Sequence, residues 1–188
     1  MIKLIVGLGN PGQNYEKTRH NVGFLFLDEL IRETASTWST QSKFEGLFSE
    51  VVIAGAKVML LKPTTFMNRS GQSVAKVAKY YKLEPEEILV VHDELDFNPG
   101  IIRLKKGGGH AGHNGLRDII LQLNSKEFYR VRIGIGRPAI GKVVADFVLS
   151  APSKAEFSEI SKALDIGLGY VPSMMVDDLS LVMNKINS

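Results

Sequence analysis

The run from Ile2 to Val6 is apolar but for Lys3 and stops at Gly7. It constrains the fold more than any other stretch. A short apolar segment without polar alternation reads as a strand buried on both faces, and such a strand needs helices above and below its sheet. The rest of the chain supplies them. From Asn21 to about Thr37, Val22, Phe26, Leu27, Leu30 and Ile31 recur at helical spacing. Phe44 to Ile53 and Lys57 to Leu61 flank Ala54-Gly55-Ala56 as a hairpin that Pro63 closes. Arg69 to Tyr81 is helical, with Val74, Val77, Ala78 and Tyr81 on one face, and Ile88 to Val91 is a second buried strand ending at His92-Asp93. Ile101 to Leu104 is expected as a strand, Leu116 to Leu123 as a helix and Tyr129 to Ile135 as a strand. In the last of these Val131, Ile133 and Ile135 alternate with Arg130 and Arg132, so both arginines should leave one face. Val143 to Leu149 is expected to be a strand or extended segment. Pro152 introduces a helix from Ala155 to about Leu168, and Asp177 to Ile186 forms a closing helix. Strands alternating with helices predict a single three-layer α/β domain spanning 1–188, with a mixed, mostly parallel central sheet.

At 188 residues such a domain buries roughly 70% of its unfolded surface without covalent staples. None is on offer: the chain has no cysteine, so neither disulfides nor thiolate chemistry arise, and a reducing, cytoplasmic setting is expected. MIKLIVGLGN lacks a basic segment followed by a long apolar one, and no apolar run approaches the ~20 residues of a membrane span. Charge is unevenly placed. Arg103 to Lys142 holds nine lysines and arginines against Asp118 and Glu127, while the whole chain nets only +3, so the remainder is acidic. A cationic region on an acidic body suggests a polyanionic partner, nucleic acid above all, although a solvated surface face gives the same composition.

Polar clusters gather where strands end: GLGNPGQNYEKTRHN (7–21), PTTFMNRSG (63–71), HDELD (92–96) and GGGHAGHNG (107–115). In open α/β sheets ligands collect beyond the carboxyl ends of the strands. Gly7 to Gly12 matches the dinucleotide fingerprint in letters only. Pro11-Gly12 turn the chain where a helix should open, and Asp28 and Glu29 lie in a helix where a strand-end acid is required. His20 reads either as a capping or surface histidine or, if it meets Asp93, as a base whose second nitrogen takes a proton from water. Asn10, Asn68 and Asn114 sit in separate loops; an uncharged amide suits a peptide backbone or polarised carbonyl, while Asn68 and Asn114 are also placed as helix N-caps. Zinc on His110 and His113 with His92 or Asp93 is disfavoured, because structural zinc usually brings cysteine and catalytic zinc a recognisable ligand spacing. No G-x-S-x-G elbow occurs, which leaves direct attack by water.

With these residues assembled, the chain closely resembles the bacterial peptidyl-tRNA hydrolases along nearly its whole length. GLGNPG, Tyr15, TRHN, PTTFMN with SG, HDELD, GGGH with HNG, and RIGIGRP appear in the family's order. Ala111 stands where glycine is common. The resemblance implies a monomeric α/β/α domain that uses no metal or cofactor and hydrolyses the ester joining a peptide to the 3′ end of tRNA, recycling tRNA dropped by ribosomes. It implies His20 as base, Asp93 as its carboxylate partner, and Asn10 as the residue that helps distinguish blocked from free aminoacyl ester. It further implies Tyr15, Phe66, Asn68 and Asn114 as substrate contacts, and Lys105 and Arg132 as the pair gripping tRNA phosphate. A non-catalytic RNA-binding protein on the same scaffold is the alternative, which loss of His20 or Asp93 would have favoured.

Overall fold

The computed structural model describes residues 1–188. Seven strands form one sheet: β1 (Leu4–Gly7), β2 (Ser39–Gln41), β3 (Gly46–Ile53), β4 (Ala56–Pro63), β5 (Ile88–Glu94), β6 (Ile102–Lys106) and β7 (Tyr129–Gly134), in the order β2-β3-β4-β1-β5-β7-β6. The centre, β4-β1-β5-β7, is parallel, and the flanking pairs β2-β3, β3-β4 and β6-β7 are antiparallel. The carboxyl ends of β1, β5 and β7 therefore open on the same edge.

Alternation along the central strands divides the core. Ile5, Leu89, Val91, Val131 and Ile133 face α1 (Val22–Glu33), α5 (Lys154–Val176) and α6 (Leu179–Ile186) in a cluster of 28 buried residues. Leu4, Val6, Ile88 and Val90 face α2 (Ser70–Tyr80) and α3 (Asn114–Leu123) in a second cluster of 15. These two layers cover the sheet as the buried strands require. One close approach sets the site. A Cβ on Gly23 would lie 2.4 Å from the Val91 carbonyl and 2.6 Å from the Leu8 nitrogen, so only glycine lets the first turn of α1 rest on the strand ends.

Three helices differ from the sequence reading. Val144–Val148 is a short helix, α4, not a strand. Its apolar residues fit either period, and Arg19 donates to the carbonyls of Phe147 and Ser150, which anchors the coiled form. Helix α5 runs on to Val176 through Pro172, well past Leu168. Val171, Met174 and Met175 continue the buried stripe of Ile160, Ala163, Leu164 and Leu168, and that packing outweighs the backbone bond proline removes. α6 begins at Leu179, two residues inside the expected range, behind an Asp178 cap that accepts the Ser180 N–H at 2.8 Å.

Candidate active site

β5 carries Asp93 almost to its end, and the turn of 3-10 helix Arg19–Asn21 brings His20 against it. His20 Nδ1 lies 2.9 and 3.0 Å from the two Asp93 oxygens, with both residues buried. The histidine is thus neither a cap nor a surface residue. A carboxylate can only accept, so Nδ1 carries the proton and Nε2 keeps its lone pair in a ring that lines the cleft. Burial disfavours the imidazolium, but the charge and hydrogen bond of Asp93 outweigh it and hold the His20 pKa above its ordinary value. Asp93 shows the complement: burial works against the carboxylate, yet His20 and His113 keep its pKa well below the usual range.

The sequence joins His113 to Asp93 only as possible zinc ligands; the structure joins them by a hydrogen bond. His113 Nε2 lies 2.8 Å from Asp93 Oδ1, while its Nδ1 accepts the Gly115 and Leu116 N–H groups at 3.1 and 3.2 Å. It is the N-cap of α3, so Asn114, one residue inside, is not. Nor does Asn68 cap α2, whose N-cap position is Arg69 without a side-chain bond. Both amides are exposed and line the cleft. Asn10 is buried at the end of β1. Its Oδ1 accepts the Met67 N–H at 2.7 Å, which fixes the amide and leaves Nδ2 to donate elsewhere. Asn21, overlooked in TRHN because a residue flanking a histidine gives no signal of its own, clamps the Asn10 backbone from both sides at 2.9 Å.

Asn10, His20, Asn68, Asp93, His113 and Asn114 line one cleft of about 630 Å³. Phe66 lines it, while Tyr15 stands behind Phe66, edge to face at 6.3 Å. Lys105 and Arg132 form part of the wall with Arg130 and Arg137. The two β7 arginines do leave the sheet on one face, as alternation predicted, but Arg130 is fully buried there. Val144, Val148 and Leu149 add apolar surface to the same cleft. His92, fully buried, donates Nδ1–H to the Asp93 carbonyl at 2.8 Å, and its Nε2 has no partner. Burial, then the neighbouring His113, push its pKa down to about 3, so it stays neutral.

Donor atoms of His20, Asp93 and His113 lie within 4.8 Å of one another, close enough for one metal ion. The hydrogen bonds argue against that use. With Nδ1 accepting two backbone N–H groups, His113 has its proton on Nε2 and no lone pair there to offer. His110 stands outside the cluster, its Nδ1 taken by the Gly112 N–H at 3.0 Å.

A proton acceptor held by a carboxylate, beside amides and above a cationic wall, is equipment for hydrolysing a polyanionic substrate, and it marks the molecule as a hydrolase on an α/β scaffold. The family model described as peptidyl-tRNA hydrolase matches residues 4–188. Peptidyl-tRNA hydrolases of Dichelobacter nodosus and Methylococcus capsulatus are 48% and 50% identical to the chain, each covering 100% of both sequences. A crystal structure of peptidyl-tRNA hydrolase from Acinetobacter baumannii superimposes with a TM-score of 0.96 at 48% identity, covering 100% of this chain and 95% of that one. The chain belongs to the peptidyl-tRNA hydrolase family. No helix in it is long and apolar enough to cross a membrane.

Proposed function

We propose that His20 is the general base of this enzyme, which hydrolyses the ester between a peptide and the 3′-terminal ribose of tRNA and so returns tRNA to translation. The observation that carries the assignment is the His20–Asp93 pair, which leaves one imidazole nitrogen unprotonated in the cleft. Nε2 takes a proton from water as the oxygen attacks the ester carbonyl, and Asp93 stabilises the imidazolium that forms. The proton then goes to the departing ribose oxygen. An ester has a good leaving group, so a positioned water, a base and hydrogen-bond donors suffice without a covalent intermediate.

The free Nδ2 of Asn10 donates to the substrate carbonyl region, where an acylated nitrogen is accepted and a free ammonium is not. This spares charged aminoacyl-tRNA. Asn68 and Asn114 hold the peptide and terminal ribose, Phe66 backed by Tyr15 packs against the terminal nucleoside, and Lys105 with Arg132 grips phosphate near the acceptor end. The 188 residues work as one domain, a monomer in the cytoplasm. Incubation with N-blocked and free aminoacyl-tRNA tests the reading: release from the blocked ester alone is expected, unaffected by exhaustive chelation. His20→Ala should lower the rate by roughly 10²–10⁴-fold in a folded protein. Near-normal turnover in that variant would remove His20 from the mechanism.

A further inference from the structure

Arg130 is the largest fully buried side chain of the molecule, 1% exposed, and it makes no ion pair with any carboxylate. Its position is electrostatically unfavourable twice over. Across the antiparallel β6–β7 pair it stands opposite Lys105, and Arg132 stands opposite Arg103, so like charges face each other in both rows. Burial, then Arg132, lower its pKa to about 10. A buried charge without an ion pair is costly unless hydrogen bonds offset it, so the carbonyls that Arg130 meets account for its place.

What it does hold is the glycine loop. One arm donates to the Gly109 carbonyl at 2.6 Å and the other to the Gly108 carbonyl, with a longer contact of 3.4 Å to the Lys126 carbonyl, and the group lies over the Phe128 ring at 4.5 Å. Two adjacent carbonyls need a planar fork, which lysine lacks. The pinned residues are the midpoint of a connection whose ends serve different halves of the site. Lys105 is at one end, with its Nζ packed so closely that a Cβ on Gly108 would come within 2.6 Å of it. His113 and Asn114 are at the other, where β6 gives way to α3.

We propose that Arg130 is a positioning residue that couples the phosphate grip to the ester-cleaving centre, by fixing through Gly108 and Gly109 both the Lys105 ammonium and the His113-Asn114 turn. The inference rests on the functional reading above. Through it, tRNA seated on Lys105 bears on a loop that cannot shift without moving Asn114.

Arg130→Lys, Arg130→Gln and Gly108→Ala separate this role from simple support. The last leaves Arg130 in place but adds a Cβ against Lys105 at a residue whose φ of 100° disfavours any side chain. Steady-state rates on N-acetyl-aminoacyl-tRNA and on a minimal terminal-nucleoside ester, with the salt dependence of tRNA binding, are the readouts. Each folded variant should lose kcat on the minimal ester, by up to roughly 10²-fold as for an ångström of misplacement, and flatten the slope of log K against log salt by about one. Lysine should not rescue. Folded variants that melt earlier yet keep wild-type kcat, KM and salt slope would show Arg130 to be structural only. A loss in just one readout would also overturn the coupling, because a loop released at its middle moves at both ends. If the Arg130 variants fail to fold, Gly108→Ala decides alone. A wild-type enzyme inactive on the blocked ester would instead defeat the functional reading itself.

Discussion

His113 gives its Nε2 proton to Asp93 at 2.8 Å while its Nδ1 accepts two backbone N–H groups of α3, so both of its nitrogens are committed. His20 meets the same carboxylate with one nitrogen and keeps the other for the cleft. The two imidazoles thus divide into a donor that orients the carboxylate and a base that uses it. His113→Ala should therefore leave a titrating base in the pH–rate profile. With one donor gone, Asp93 acts more strongly on His20, and the acid limb should move to higher pH than in the wild type. Loss of the cap should cost about 1 kcal/mol of stability. An acid limb that vanishes with His113 would transfer the base to that residue.

Asp93→Asn should move the limb the other way. The wild-type His20 pKa is raised only because Asp93 outweighs burial, so removing the charge leaves burial to lower it. An amide also permits the wrong tautomer, and kcat should fall by up to roughly 10⁴-fold with KM little changed. A profile that keeps its midpoint together with wild-type kcat would make the pair structural.

His92 sets part of the acid sensitivity of the fold. Its pKa falls from 6.5 unfolded to about 3 folded, so above pH 6.5 it is neutral in both states and contributes no pH dependence. Below 6.5 the unfolded chain takes a proton that the folded one refuses, and stability drops by up to about 1.4 kcal/mol per pH unit until about pH 3. Asp93, with its depressed pKa, adds its own loss only below its unfolded value of 3.8. Denaturant melts of His92→Gln should be flatter than wild type between pH 6 and 4, and identical slopes would show that another group carries the effect.

The strand order's parallel centre and the place of the site were legible because Leu4 to Val6 and Ile88 to Val91 are apolar on both faces and end in polar clusters. The His20–Asp93 and three-amide constellation was legible as residue types at strand ends, and the family resemblance gave it roles. What stayed hidden depends on bonds between distant backbone atoms. Asn21 clamps Asn10 across 11 residues, and His113 caps α3 with an imidazole where asparagine is the usual choice. Arg130 alternates in β7 like Arg132, yet it is buried, bonded to glycine carbonyls 21 and 22 residues earlier that alternation does not reveal. The α4 segment departs from its expected extended form for the same reason: Val143 to Leu149 carries no intrinsic preference strong enough to show that Arg19 would hold it coiled.

Lys105 and Arg132 sit on adjacent strands at the wall of the cleft, away from the His20–Asp93 pair's own hydrogen bonds, and neither is fully buried. Arg132 is 3.6 Å from Glu94, a loose contact that a phosphate can replace. Lys105 faces Arg130 across the strands with no acid paired to it, and burial, then Arg132 and Arg130, lower its pKa, so an incoming anion relieves repulsion already present. Phosphate contacts of this kind release counterions, and each one removed should lower the slope of log K against log salt by about one unit. Changing both residues to alanine should weaken peptidyl-tRNA binding and flatten its salt dependence by about two units, while barely affecting a minimal ester that carries only the terminal nucleoside. Equal losses on the two substrates would mean that the pair shapes the catalytic centre, and the phosphate grip would have to be assigned elsewhere in the cationic stretch.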